Sequence, residues 1–269
     1  MEAVKTMQSK LGTVQKLLGL AIMMLLIVLI SRLGTSPTAA FQAAVTRGDV
    51  PEVRRILSSH PKIVNTVDRE GCTALHRAIN ESNEPLVEVL LDHGADVNAR
   101  IANPVEGTEM GWTGLHMAIS MGQTPIVRRL LAKGADPNLT TSDGHSPLHM
   151  AAIAGQMEAA QSLLDRGVPI NVTNRKGHTP LTYAVIMKHS DIVRLLIDKG
   201  AAVNTVDAMG GTALHYAVKE GQDQVVQLLL AAKAPTDVKD NLGQTPLSLA
   251  TSQGLGRIAD LLRQYGASQ

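Results

Sequence analysis

Nine histidines and one cysteine are the side chains best suited to chemistry in this 269-residue chain. An imidazole can move protons near neutral pH or ligate zinc, and a thiolate can act as nucleophile or ligand. Their spacing argues against both uses. His76, His116, His149 and His215 each stand three residues after a hydroxyl residue, at Thr73, Thr113, Ser146 and Thr212. They therefore mark one recurring place and not one converging site. His145 and His178 each precede such a hydroxyl, 33 residues apart. If the units carrying them stack at helix-packing distance, ~8 to 10 Å, one zinc with ligand bonds of ~2.1 Å cannot hold both. The patterns His-Glu-x-x-His, Gly-x-Ser-x-Gly and Gly-x-x-x-x-Gly-Lys do not occur, nor does an EF-hand loop. Gly144-His145-Ser146-Pro147 lacks the second Gly of a nucleophile elbow, and no trio of nucleophile, base and orienting group can be picked out. The expectation is a non-enzyme with no metal, cofactor or small-molecule substrate. Cys72 is the only cysteine, so no intrachain disulfide can form, and it reads as an exposed residue at a loop tip.

The elements that carry these residues follow from the hydroxyl positions Thr73, Thr113, Ser146, Thr179, Thr212 and Thr245, spaced by 40, 33, 33, 33 and 33 residues. A period near 33 is that of a repeat array. Gly stands two residues earlier in every copy, where a turn can use positive φ. The hydroxyl is placed as a helix N-cap, and Pro147, Pro180 and Pro246 follow it at the first helical position. Leu two residues on and Ala five residues on share one face, large beside small. Leu recurs seventeen residues after the hydroxyl, from Leu90 to Leu262, and requires a second helix. Gly122, Gly155, Gly221 and Gly254 are placed to end the first helix, and Gly94 and Gly134 the second. The unit is turn, helix, helix, loop.

Ser146 to Ala151 and Leu90 to Asp96 closely match two stretches of the ankyrin repeat, Thr-Pro-Leu-His-x-Ala and Leu-Leu-x-x-Gly-Ala-Asp. The chain resembles that family from about Thr38 to Ala267. The resemblance implies an all-α solenoid of helix pairs joined by β-hairpin loops. It also implies that the recurring His bridges the N-cap hydroxyl and neighbouring backbone, with Thr182 and Ser248 as partial substitutes. One Trp, one Phe and three Tyr in a chain that is 44% hydrophobic suit stacked helix pairs filled by Leu, Val, Ile and Ala. Phe41-Gln42-Ala43-Ala44 with Val53, Ile56 and Leu57 reads as a degenerate N-terminal repeat ahead of six full ones, and Arg263 marks a solvent-facing last helix. Residues 99–112 form an inserted finger that carries the single Trp112.

Leu17 to Ser31 is a charge-free run of fifteen residues. As a helix it spans about 22 Å, short of a hydrocarbon core of roughly 30 Å, and Lys16 and Arg32 could close part of the gap by snorkelling. Three lysines before it and one arginine after it place the N-terminus in the cytoplasm and the repeats on the far side of the membrane, periplasmic or extracytoplasmic. Residues 1–33 thus read as a tail and transmembrane signal-anchor, 34–38 as a linker and 39–269 as the repeat domain. Thr38-Ala39-Ala40 offers the alternative of signal-peptide cleavage and secretion. Three Asn-x-Ser/Thr sequons, at Asn80, Asn138 and Asn171, match glycosylation acceptors, but the latter two Asn hold a recurrent repeat position and read as structural.

Net charge is +1, which supplies no footprint for nucleic acid. In ankyrin proteins the positions that resemble partner contacts are the tip residues beside the Gly and the end of the first helix. Carried over, the tip set includes Met110, Trp112, His145, Lys176, His178, Met209 and Leu242, and the helix set Met121, Ile153, Ile186, Met187 and Lys219. The expectation is a membrane-tethered module holding a protein or peptide on its concave face, chiefly over the third to fifth repeats. The alternative is a structural spacer or chaperone-like accessory scaffold for a membrane-associated or periplasmic enzyme.

Overall fold

The structure is a computed structural model that describes residues 36–102 and 111–268. The chain forms two compact units that divide after Ile63.

The first unit is a helix pair. Helix α1, Pro37–Thr46, starts inside the stretch expected as linker, because Ser36 Oγ accepts from Ala39 N–H at 3.1 Å and Pro37 opens the first turn. Gly48, with φ 66°, turns the chain into α2, Val50–Ser59, capped by Asp49. Phe41, Ala44 and Val45 of α1 and Val53, Ile56 and Leu57 of α2 are buried. A 3-10 turn, Pro61–Ile63, ends the unit.

The second unit holds six helix pairs. The first helices are α3 Ala74–Asn80, α5 Gly114–Ser120, α7 Pro147–Ala154, α9 Pro180–Ile186, α11 Ala213–Lys219 and α13 Pro246–Ser252. Their partners are α4 Glu84–Asp92, α6 Thr124–Ala132, α8 Met157–Asp165, α10 Ser190–Asp198, α12 Asp223–Ala231 and α14 Gly256–Gln264. First helices stack on first helices and second on second, with each helix also packed on its own partner. Helices of seven to nine residues are too short to persist alone. What stabilises them is the shared core: the recurrent Leu and Ala of the first helix and the Leu of the second are buried in every repeat. Gly122, Gly155, Gly221 and Gly254 do end first helices at positive φ. Ser82 and Lys188 adopt the same backbone, with φ of 54° and 62°, in the two repeats that lack that Gly.

The expected hairpin loops are short: among the described residues strand pairing is limited to the single antiparallel bridges Val67 to Thr73 and Arg100 to Thr113, and one backbone bond, such as Asp207 N–H to Gly211 O at 2.9 Å, closes each tip. An acidic, amide or hydroxyl side chain five residues before the N-cap takes the N–H groups that a longer hairpin would pair across strands. Asp207 Oδ1 accepts from Met209 N–H at 2.8 Å and Gly211 N–H at 2.9 Å, and Asp240, Asn174, Asp68 and Thr141 act alike. The apolar run Leu17 to Ser31, expected in a membrane, lies outside the described residues. Among those that are described, no helix is long and apolar enough to cross a membrane.

Candidate functional site

The recurring histidines are structural. In His149, Nδ1 accepts from Ser146 N–H at 3.0 Å and lies 2.9 Å from Ser146 Oγ, while Nε2 lies 3.0 Å from the His178 carbonyl of the next repeat. The backbone donor fixes Nδ1 as an acceptor, so the proton sits on Nε2 and is donated across the seam. His76, His116 and His215 make the same bond to the carbonyls of Ala99, His145 and Gln244, at 3.1 to 3.2 Å. Burial holds His76, His116 and His149 at pKa values of about 4, so they are neutral bridges and not proton carriers. Thr182 reaches only as far as Thr179, 3.0 Å away, because a hydroxyl lacks a second nitrogen to span the seam. Ser248 Oγ likewise stays within its own cap, accepting from Thr245 N–H and donating to Thr245 O, both at 2.9 Å.

Cys72, Trp112, His145 and His178, each just before an N-cap, were expected at the surface and are instead turned inward. Trp112 is 6% exposed, its ring centroid 6.4 Å from that of His116, and its Nε1 finds no partner among the described residues. His145 is buried between Tyr183 Oη, 2.9 Å from its Nε2, and Asn174 Nδ2 at 3.0 Å. His178 repeats that arrangement one unit on: Nε2 meets Asp207 Oδ2 at 3.1 Å and Tyr216 Oη at 3.3 Å, and Tyr216 donates to Asp207 at 2.5 Å. Burial lowers the His178 pKa against the pull of Asp207. Cys72 holds the same place and is also buried, which raises its pKa and suppresses the thiolate. The reason is the Gly before it. Its positive φ reverses the chain, and in His145 and His178 the side chain that follows meets the next repeat. The sequence held a signal for this, since Cys72, Trp112, His145 and His178 include no carboxylate, lysine or arginine.

Of the candidate contact residues, Lys219 is exposed at the end of α11, and the other exposed ones lie at two register positions. Three residues before the N-cap stand Glu70, Asp143, Lys176, Met209 and Leu242, with Met209 63% and Leu242 80% exposed. Met110 belongs to this column but lies outside the described residues. Eight residues after the N-cap, at the ends of α5 and α9, Met121 and Met187 are 46% and 42% exposed. Ile153 and Ile186, one position earlier, are half-buried. The tips are joined in a row: Asp143 O accepts from Arg175 N–H, Lys176 O from Ala208 N–H and Met209 O from Asn241 N–H, at 2.9, 3.0 and 2.9 Å. The arrangement presents side chains for contact. The described residues include no cluster of His, Cys, Asp and Glu suited to a metal ion.

The family model described as ankyrin repeats (3 copies) matches residues 1–101, 115–207 and 204–269, and a second ankyrin model matches 75–130. The chain belongs to the ankyrin-repeat family. It is similar to Notch-regulated ankyrin repeat-containing protein A of Danio rerio, 36% identical over 72 residues, which are 26% of this chain and 62% of that protein. It is also similar to palmitoyltransferase akr1 of Schizosaccharomyces pombe, 43% identical over 56 residues, 21% of this chain and 9% of the relative. Potassium channel AKT1 of Oryza sativa subsp. indica is 48% identical over 40 residues, 15% of this chain and 4% of the channel. The alignments thus span less than two thirds of each of these relatives.

Ankyrin repeats are in general binding scaffolds without catalytic machinery, and the likeness to the palmitoyltransferase runs through repeats alone. Within this ankyrin array a second stitch escaped the sequence reading. Ten residues after the N-cap, Gln123 Nε2 donates to Ile79 O and Gln222 Nε2 to Val185 O, both at 2.8 Å, and His189 Nε2 lies 3.1 Å from Ile153 O. Each reaches back to the preceding repeat. The signal was a long amide or imidazole recurring at the start of the second helix.

Proposed function

We propose that the second unit is a protein-binding module whose contact face consists of the loop tips and the exposed ends of the first helices. The observation that carries this reading is the exposure of Met121, Met187, Met209 and Leu242, between 42% and 80%, at register positions the stack does not use for packing. Exposed apolar groups arrayed in register mark interaction surfaces, and methionine adapts to varied apolar partners. Ile153 and Ile186 supply a half-buried floor. Trp112, His145 and His178 act from behind, fixing the tips and making no contact of their own. The apolar run Leu17 to Ser31, flanked by Lys16 and Arg32, further suggests a tether that carries the repeats to the far side of a membrane. An alkaline wash that released the intact chain from membranes would remove that tether.

The test of the face is a selection of displayed random peptides on the wild-type chain and on a variant carrying Met121→Ser, Met187→Ser, Met209→Ser and Leu242→Ser. The variant is expected to keep its circular dichroism, because all four side chains are exposed, and to lose the peptides that the wild type retains. Equal retention by both would sink the face. No enrichment on the wild type would favour a spacer or accessory scaffold.

A further inference from the structure

The column of tips changes character along its length, and the change specifies a partner. It reads Asp143, Lys176, Met209, Leu242 from the third to the sixth repeat, each tip hydrogen-bonded to the next through backbone. Arg175 lies beside Lys176, and its N–H is the donor to Asp143 O. Both cations are exposed, and neither has a carboxylate within ion-pair distance among the described residues. They contrast with Lys188 and Lys199, which are paired with Glu220 and Asp165 of neighbouring repeats at 3.0 Å. Two unpaired cations therefore precede two of the most exposed large apolar side chains of the described residues, in one line.

We propose that this line receives an extended peptide segment in which carboxylates precede apolar residues. The proposal rests on the protein-binding reading and adds the chemistry of the partner. The backbone groups that join the tips are already paired with one another, so the segment is gripped by side chains and not by adding a strand. Repeats packed at helix distance, ~8 to 10 Å, match about three residues of extended chain at ~3.3 Å each. An acidic pair facing Arg175 and Lys176 is therefore followed by one apolar residue over Met209 and, three residues later, one over Leu242. The cations set the direction of the segment and reject basic competitors.

The probe is the fluorescein-labelled peptide Asp-Asp-Ser-Leu-Ser-Ser-Leu, titrated with the full chain by fluorescence anisotropy. Its controls are Lys-Lys-Ser-Leu-Ser-Ser-Leu and Asp-Asp-Ser-Ser-Ser-Ser-Ser. The first peptide is expected to bind about tenfold or more tighter than either control, and to weaken as salt rises from ~0.05 to ~0.5 M. The Arg175→Glu, Lys176→Glu variant is expected to reverse the preference toward the lysine peptide. The Met209→Ser, Leu242→Ser variant is expected to lose about tenfold for the acidic apolar peptide alone. Equal binding of the three peptides, no binding of any, or a preference untouched by charge reversal would overturn the proposal. Retention on phosphatidylserine vesicles without peptide binding would overturn it too, by assigning the line to a lipid surface. If the displayed peptides described above are enriched but are not acidic, only this chemistry fails; if none is enriched, the binding face itself fails.

Discussion

A histidine buried with its proton fixed on Nε2 cannot take a second proton without turning a donor toward a donor. In His76, His116 and His149 that second proton would sit on Nδ1, against the N–H of Thr73, Thr113 and Ser146. Their pKa values therefore fall from 6.5 in the unfolded chain to about 4 in the fold, and burial is the largest cause. The sign follows directly. Between those limits the unfolded chain binds protons that the folded chain refuses, so stability is full above about pH 6.5, declines as pH falls and reaches its full loss below about pH 4. Each ring contributes on the order of 3 kcal/mol across the window. Thermal melts from pH 7.5 to 4.5 should show a steep fall in Tm, a direction that His178, also lowered, reinforces. His149→Thr copies the natural Thr182. It should cost ~1 to 3 kcal/mol at pH 7.5 and flatten the pH dependence, and an unchanged slope would show that this ring is not titrated by unfolding. The recurrence of these rings was legible in the sequence, and their bridging role came with the family resemblance that it carries. The inward turn of His145 and Trp112 was not, since it depends on what lies opposite them in the next repeat.

At the scale of the loop, the glycine two residues before each N-cap has two tasks, and the sequence displays only one. Positive φ at the turn can be read from a recurring Gly. The second task is room for the neighbouring tip, whose residues are about 31 positions away and invisible to local pattern. A Cβ on Gly210 would stand 2.7 Å from Asn241 N, the group that donates to Met209 O, whereas a Cβ on Gly243 would meet nothing within 4 Å. Their φ values are 75° and 74°, so backbone strain is the same at both. Gly243→Ala should therefore lose ~1 kcal/mol from strain alone. Gly210→Ala should lose roughly twice that or more, because the tip hydrogen bond must give way as well. Urea midpoints with unchanged m-values would measure the difference. Equal losses would mean that the tips are not held in register. The hairpins stay short for a related reason: Asp68, Thr141, Asn174, Asp207 and Asp240 recur five residues before the N-cap, and their side chains take tip N–H groups while their own N–H closes the loop.

Across the six-pair unit, phase and number could be read from the period, because each repeat buries the same Leu and Ala against neighbours of the same kind. The strength of each seam could not, because it depends on side chains that reach between repeats. Gln123, His189 and Gln222 tie the start of a second helix to a carbonyl of the preceding repeat. In the sixth repeat that place belongs to Leu255, which is half-buried and offers no donor. The same repeat has Ser248 where four others have a bridging His, and its hydroxyl bonds only within its own cap. In a one-dimensional stack the element held by the fewest stitches opens first. Hydrogen exchange should accordingly find α13 and α14 the least protected helices of the unit. Leu255→Gln, by analogy with Gln222 and its bond to Val185 O, would supply a donor for Val218 O. The gain should be ~1 kcal/mol, seen as roughly fivefold slower exchange confined to residues 246–264. A gain spread evenly over all six repeats would show that the unit opens as a whole, and no gain would show that the stitch contributes nothing at an end.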